Sequence, residues 1–258
     1  MVIKRDVMFT PAEEMRTLHI YLPDSYEESD DRYPVVYFLD GHNLYFDKDA
    51  TYGKSWGVKD FLDQWEKPII IVGIECGHGP GQRLSEYSPY TVDKRFLKGV
   101  VGTGDVTFRW IIDEVKPIID KEYRTWWNRE CTAIAGSSMG GLMAWYGVTK
   151  YNDYFSKAAC ISSSIMVCMD EVKKELEVCP IDPDTRVFLS WGTREAWGVT
   201  DHEHEDFESD TSKCNRYVAD VMEKQGAVVE VFCQLGGGHC EADWEKLVPE
   251  FMDFLWMR

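Results

Sequence analysis

Residues 131–147 read CTAIAGSSMGGLMAWYG, a short apolar run that leads into a helical pattern. Residues 132–136 are apolar on both faces, as in a strand of a parallel sheet buried between two helical layers. Between this run and the helical pattern, which begins at Met139, stands Gly136-Ser137-Ser138-Met139-Gly140. The G-x-S-x-G spacing is typical of a sharp strand-to-helix turn that exposes the hydroxyl of its central serine. The stretch therefore predicts a parallel sheet with Ser138 at its edge.

The rest of the sequence predicts further strands and helices around this turn. Short apolar runs predict strands near residues 5–9, 17–22, 35–39, 69–74, 132–136, 158–162, 186–191 and 228–234. Helical spacing covers residues 106–123 and begins again at residues 139, 212 and 241. Because the opening strands follow one another without helices, we predict an α/β fold. It is a mostly parallel, doubly wound sheet with an antiparallel N-terminal start and helices on both faces. A chain of 258 residues suits one domain over residues 1–258.

Composition limits the classes of partner. The formal net charge is −17 and the pI is near 4.7, so nucleic acid and anionic membranes would repel the chain. The N-terminus lacks the apolar stretch of a secretory signal, and no run of about 18 apolar residues is present to span a bilayer. Of the eight cysteines, Cys160 and Cys233 lie in apolar runs that favour buried thiols. We expect a cytoplasmic protein with a small-molecule partner, and assembly into a homo-oligomer stays open.

Ser138 is the predicted nucleophile. The glycines at positions 136 and 140 are expected to permit close backbone approach at the turn, where side chains would collide. The amide of Met139 starts the helix and is a candidate donor to the oxyanion of a tetrahedral intermediate. Ser137 is the alternative hydroxyl, but it occupies the first variable position of the motif. A glycine-rich turn that only packs a helix on a strand is the non-catalytic alternative.

His239 is the predicted base that takes the proton of the serine hydroxyl. Of the six histidines, three precede the serine in the chain and two belong to an acidic segment. His239 instead follows the strand predicted at residues 228–234 and a triple-glycine turn. This is the position of the base in enzymes whose chain order is serine, acid, histidine.

Glu195 is the first candidate for the acid that orients the histidine. It follows the strand predicted at residues 186–191, so it should stand at the carboxyl end of the sheet. Asp201, Glu205 and Asp206 in the next segment are competing positions, and a surface ion pair is the alternative role of Glu195.

A second oxyanion donor is expected after the strand at residues 35–39, in Asp40-Gly41-His42-Asn43. Gly41 would let the backbone turn sharply toward the serine, so that the amide of His42 or Asn43 points inward. An ordinary Asp-Gly turn is the alternative.

Aromatic residues near these motifs are candidates to line a substrate pocket, although core packing is the commoner role of such side chains. They are Tyr45, Trp56, Trp197 and Trp244. Residues 78–104 and 192–211 form two long irregular segments that are expected near the site.

Two other classes of protein remain open. The first is a metal protein that uses His202, Glu203, His204, Glu205 and Asp206, but these residues lack the spacing of a zinc motif, so we predict no metal. The second is a non-catalytic binding protein on the same fold.

Five segments together resemble the putative esterase family of the α/β-hydrolases, which includes esterase D-like, feruloyl, acetyl-xylan and siderophore esterases. They are YFLDGHNLYF, VGIECGHGPGQRLSEYSPY, GSSMGGLMA, WGTREAWG and GGGHCEADW, and they span nearly the whole chain. The resemblance implies an α/β-hydrolase fold, Ser138 as nucleophile, His239 as base, and the amides of Met139 and Gly41–Asn43 as the oxyanion hole. It adds Arg83 as a substrate-binding candidate.

The expected activity is hydrolysis of small intracellular esters, of acetyl, feruloyl or similar type, through an acyl-enzyme and without a metal or organic cofactor. Glutathione thioesters and siderophore trilactones are alternative substrates within the family that the chain resembles. The acid is less uniform among those relatives, so a pair of Ser138 and His239 without Glu195 is the alternative to a triad.

Overall fold

The computed structural model describes residues 1–195 and 209–258, and its centre is one eight-stranded sheet. The strands are β1 Val2–Phe9, β2 Glu14–Tyr21, β3 Val35–Leu39, β4 Ile70–Ile74, β5 Thr132–Ser137, β6 Lys157–Ile161, β7 Arg186–Gly192 and β8 Val228–Gln234. Their order in the sheet is β1-β2-β4-β3-β5-β6-β7-β8. The β1–β2 and β2–β4 pairs are antiparallel and the other neighbours are parallel. The antiparallel start and the parallel remainder are both confirmed.

Nine α-helices lie in the described residues. They are α1 Val58–Leu62, α2 Gln82–Glu86, α3 Gly104–Trp110, α4 Lys116–Glu122, α5 Met139–Lys150, α6 Met169–Val178, α7 Asp210–Lys224, α8 Glu241–Trp244 and α9 Val248–Trp256. A π-helical turn, Ile111–Val115, joins α3 to α4, so the helix expected over residues 106–123 is three consecutive segments. The helix α6 was not among the predicted helices, because Val172 and Leu176 are the only buried residues of its ten.

The sheet separates two apolar cores. In β3, Val35, Tyr37 and Leu39 belong to the core shared with α3 to α7, whereas Val36 and Phe38 belong to the core shared with α1 and α9. This alternation follows from the two-residue period of a strand. It confirms that helices cover both faces. One domain over residues 1–258 stays a prediction.

The eight cysteines are all free thiols. Cys160 is fully buried on β6, whereas Cys233 on β8 is only partly buried. Among the described residues, no helix combines the length and apolar character that crossing a bilayer requires.

The turn from β5 to α5 depends on the absence of a side chain at Gly136. A Cβ built at Gly136 would lie 2.6 Å from both the carbonyl carbon and the oxygen of Gly140, which is far inside van der Waals contact. A Cβ at Gly140 would meet Asp40 Oδ2 and Leu39 Cβ at 3.5 Å, an ordinary contact. The expectation that side chains would collide at both glycines is therefore wrong for Gly140.

Gly136→Ala is expected to lower the free energy of unfolding by about 1–3 kcal/mol, because the methyl group overpacks the turn. Urea unfolding followed by circular dichroism measures the change. Gly140→Ala is the matched control, and it should be neutral or stabilising because alanine favours a helix. Equal stability of Gly136→Ala and the unmodified chain would show that the turn tolerates a side chain.

Candidate active site

The carboxyl ends of the parallel strands meet around one cavity of about 610 Å³. Ligand sites in open α/β sheets form at this edge. The predicted residues that line the cavity are His42, Asn43, Arg83, Ser138, His239 and Trp244. Part of the irregular segment that was expected near the site, residues 78–104, also lines it, through His78, Gly79, Gly81, Arg83 and Leu84.

Ser138 has a strained backbone at the end of β5. Its φ of 58° and ψ of −121° lie in a region that residues with side chains rarely adopt. The amide of Ser138 donates to Ile161 O at 2.9 Å, and its carbonyl oxygen accepts from the Ser164 amide at 3.0 Å. Bonds to the segment around the end of β6 therefore hold the serine in this conformation.

Two sets of backbone amides are candidate oxyanion donors. Met139 is the first residue of α5, so its amide has no partner four residues earlier in the helix. Gly41–Asn43 forms a single 3-10 turn after β3. The Asn43 amide donates to Asp40 O at 2.9 Å within this turn. It is therefore not free to bind an oxyanion, and the prediction of Asn43 as an oxyanion donor is wrong. The amides of Gly41 and His42 remain candidates.

The reason for glycine at position 41 differs from the expected one. The left-handed residue of the turn is Asp40, with φ 59° and ψ 47°, and not Gly41. A Cβ at Gly41 would lie 2.2 Å from the carbonyl carbon of Gly73 in β4. Gly41 is therefore required because two backbones pack directly against each other.

Arg83 holds the turn after β3 through a two-pronged ion pair. Its Nε and Nη2 donate to the two carboxylate oxygens of Asp40 at 2.7 and 2.6 Å, and the Asp40 amide donates to Tyr87 OH at 3.0 Å. Burial alone would lower the pKa of Arg83, but the paired Asp40 carboxylate outweighs it and raises that pKa. Arg83 lines the cavity, and Asp40 engages two of its five N–H donors.

Glu195 and His239 are hydrogen-bonded to each other. Glu195 Oε2 lies 3.1 Å from His239 Nδ1, while Glu195 Oε1 accepts from the Ser162 hydroxyl at 2.6 Å and the Gly192 amide at 2.8 Å. The Glu195 side chain is 7% exposed and that of His239 is 46% exposed. A buried carboxylate thus fixes the orientation of a ring that reaches the cavity.

Ser162 has a role that sequence reasoning missed. It follows β6 with a φ of 46°, and its hydroxyl accepts from Trp244 Nε1 at 2.8 Å while donating to Glu195. Trp244 also packs edge-to-face on His239, with ring centroids 5.0 Å apart. The run of three serines after the strand, residues 162–164, was the available signal.

Ser138 and His239 face the same cavity. Among the hydrogen bonds of the described residues, none joins the Ser138 hydroxyl to the His239 ring. Catalytic hydrogen bonds are often long without substrate and shorten in the complex, so shared access to the cavity is the relevant observation.

Two of the aromatic pocket candidates are corrected. Tyr45 is 6% exposed and its hydroxyl donates to the backbone oxygens of His19 and Ile71, so it belongs to the core. Trp56 packs behind Trp244 with centroids 5.4 Å apart and does not line the cavity. Both rings are buried because they fill the core beside α1 and α9.

Several predicted positions lie outside the described residues. They are Trp197, the competing acids Asp201, Glu205 and Asp206, and the segment from His202 to Asp206 that was considered for metal binding.

Further titratable groups line the cavity. Burial, together with the nearby Asp40 carboxylate, raises the pKa of the Cys76 thiol, so this thiol is protonated at neutral pH and is a poor nucleophile. Burial lowers the pKa of His42, which keeps its ring neutral. Burial also raises the pKa of Glu241, the first residue of α8.

A family model described as Putative esterase matches residues 11–254. The chain belongs to this esterase family. It is accordingly a carboxylic ester hydrolase with an α/β-hydrolase fold, as the sequence resemblance implied.

Other proteins resemble this esterase in sequence or in fold. The uncharacterized protein YbbA of Bacillus subtilis is 25% identical over 226 residues, which cover 84% of this chain and 82% of YbbA. An IroE-like serine hydrolase from Shewanella oneidensis has a TM-score of 0.74 at 19% identity, covering 98% of this chain and 79% of that one. The enterobactin esterase FES from Shigella flexneri has a TM-score of 0.72 at 16% identity, covering 99% of this chain and 59% of that one. The two structures show a shared fold.

Arg83→Met should lower the free energy of unfolding of the esterase by about 2–3 kcal/mol, because the Asp40 carboxylate would stay buried without its cation. Thermal and urea unfolding measure the loss. The double variant Asp40→Asn/Arg83→Met is the matched control and should recover part of it. If the single variant unfolds like the unmodified protein, the ion pair does not hold the turn.

Proposed function

We propose that this esterase is a serine-dependent enzyme that hydrolyses small esters through an acyl-enzyme. Ser138 is the nucleophile, His239 the general base and Glu195 the acid that orients the histidine. The amides of Met139, Gly41 and His42, in particular that of His42, stabilise the oxyanion. No metal or organic cofactor takes part in this mechanism.

The observation that carries the proposal is the hydrogen bond between the buried Glu195 carboxylate and His239 Nδ1. With Nδ1 bonded to Glu195, the other ring nitrogen, Nε2, is left to act on the serine proton. The strained turn at Ser138 supports the same assignment, because such strain gathers at functional sites. The side chains of Ser138 and His239 both line the cavity that the strand ends surround.

In the first half of the reaction, His239 Nε2 removes the Ser138 proton as the hydroxyl oxygen attacks the ester carbonyl. The negative charge on the carbonyl oxygen is received by the Met139 and His42 amides. The tetrahedral intermediate then collapses, the bond to the alcohol oxygen breaks, and His239 returns the proton to the departing alcohol.

In the second half, water takes the place of the alcohol. His239 removes a proton from the water as it attacks the acyl carbonyl, and the same amides receive the oxyanion. The acid product leaves when the bond to the serine oxygen breaks, and the proton passes from His239 to that oxygen. Glu195 stabilises the positively charged ring in both halves.

A small ester suits the cavity, whose volume of about 610 Å³ lies within the range of sites for drug-sized ligands. The wall is mixed, with the apolar side chains of Trp244 and Leu84 beside the polar groups of Asp40, Arg83 and Glu241. These groups suit an ester with polar substituents better than a long alkyl chain.

Ser138→Ala should lower kcat for p-nitrophenyl acetate by at least about 10⁴-fold, because the attacking oxygen is lost. Ser137→Ala is the matched control, since Ser137 is the neighbouring hydroxyl and lines the same cavity. It should retain most of the activity. A normal rate in Ser138→Ala, or a larger loss in Ser137→Ala, would contradict the assignment of the nucleophile.

Glu195→Gln should reduce kcat by up to about 10⁴-fold if a triad operates, because the uncharged amide neither fixes the histidine tautomer nor stabilises its charge. Ser162→Ala removes one hydrogen bond to the carboxylate and should cost about 1.5–3 kcal/mol of transition-state stabilisation. The two variants are compared in kcat with the same ester. A loss of less than tenfold in Glu195→Gln would mean that Ser138 and His239 work as a pair.

A further inference from the structure

Beyond the esterase residues, His42, Glu75 and His78 form a second cluster of ionisable side chains at the cavity. One ring nitrogen from each histidine and one carboxylate oxygen lie within 4.8 Å of one another. The rings of His42 and His78 are arranged edge-to-face with centroids 5.1 Å apart. Glu75 and His78 follow β4, and His42 belongs to the turn after β3, so neighbouring strands bring the three together.

His42 carries a buried nitrogen that has no partner in the described protein. Its Nε2 lies 2.9 Å from Thr51 Oγ1, whereas its Nδ1 is buried without any hydrogen bond. The residue as a whole is only 7% exposed. A buried polar atom without a partner is unfavourable by about 1–3 kcal/mol. A ligand bound to this nitrogen would remove that cost.

The arrangement of Thr51 and His42 suits coordination. When Nε2 donates its hydrogen to the Thr51 hydroxyl oxygen, the lone pair of Nδ1 is the free one. Histidines that bind metals almost always donate their other ring N–H to an oxygen in this way, which fixes the tautomer and the direction of the ring.

Glu75 is held in a similar manner. Its Oε1 lies 2.6 Å from Nε2 of His19, a side chain that is only 2% exposed, and its Oε2 lies 3.2 Å from Nε2 of His78. The bond to the buried His19 leaves Oε2 directed toward the exposed His78. A carboxylate supported on one oxygen and available on the other is typical of a metal ligand.

We propose that His42, Glu75 and His78 bind a divalent transition-metal ion of the zinc type beside the esterase site. Two imidazoles and one carboxylate are a donor set found in zinc sites that keep a fourth position open. Magnesium and calcium prefer sites made of oxygen ligands alone, so the two nitrogen donors favour zinc or cobalt.

The three ligand atoms, which lie within 4.8 Å of one another, have to approach further to complete the site. Tetrahedral zinc with bonds of about 2.0–2.1 Å places its ligand atoms about 3.3 Å apart, so the observed group must contract. The side chain of His78 is 63% exposed and is free to rotate toward the other two. His42 and Glu75 are already positioned by Thr51 and His19.

The open position of the ion is reached from the cavity, because His42 and His78 both line it. A cation there would lie next to the turn whose amides we propose to receive the oxyanion. The metal site is nevertheless independent of the proposed serine mechanism, which needs no ion.

Hydrogen bonds alone would explain why Glu75 lies beside His78, since a carboxylate commonly accepts from two histidines, here His19 and His78. It does not account for Nδ1 of His42, which stays without a partner. The two readings differ in whether the protein binds a metal ion.

The test is titration of chelator-treated protein with Zn²⁺ by calorimetry and with Co²⁺ by visible absorption. One equivalent of each ion should bind. His78→Ala and Glu75→Gln should each weaken the affinity by at least about 10-fold, because losing even a residue that only hydrogen-bonds to a metal ligand weakens binding by that factor. The control is the double variant His202→Ala/His204→Ala. It removes the two histidines of the segment His202–Asp206, which the sequence also offered as metal ligands, and it should bind like the unmodified protein.

Two further readouts keep the test independent of esterase activity. Zn²⁺ should raise the Tm of the unmodified protein but not that of His78→Ala, because only a folded protein with an intact site gains binding energy. With Co²⁺, His78→Cys should show the near-ultraviolet charge-transfer band of a cobalt–thiolate bond, which the unmodified protein should lack. Absence of binding in the unmodified protein would overturn the proposal. The proposal would also be overturned if His78→Ala bound the ions as tightly as the unmodified protein, or if only the His202→Ala/His204→Ala control lost binding.

Discussion

The strained backbone of Ser138 is the constraint on which the rest of the site depends. A residue with a side chain held at φ 58° and ψ −121° is less stable by about 1–3 kcal/mol than in an ordinary conformation. The conformation persists because Ile161 and Ser164 bond to both sides of it and because Gly136 lets α5 start against the strand end. Ser138 thereby lines the cavity at the strand end, and α5 begins at the next residue.

Two buried carboxylates at the same edge of the sheet have different tasks because their partners differ. Asp40 is paired with a guanidinium that engages both of its oxygens, so its charge is neutralised and it holds a backbone turn. Glu195 accepts from neutral donors on one oxygen and faces the ring of His239 with the other. Its charge is thus available to a histidine that becomes positive during the proposed reaction.

The strand ends after β3 and β4 carry a separate set of groups on the wall of the cavity. Gly41 and Gly73 allow the two backbones to touch, and this contact brings His42 close to Glu75 and His78. The same backbone contact therefore positions both the turn that is proposed to receive the oxyanion and the proposed cation ligands. A single close approach between neighbouring strands serves both features.

The amino-acid sequence by itself determined the strand-turn-helix around Ser138, the antiparallel start of the sheet and the chain order of Ser138, Glu195 and His239. Local apolar periodicity and glycine spacing carry this information, because they depend on residues near one another in the chain. Only the tertiary structure decided that Arg83 binds Asp40, that Tyr45 and Trp56 are core residues and that Ser162 supports Glu195. These contacts join residues from different strands or loops, so their partners become defined only when the sheet brings the strand ends together.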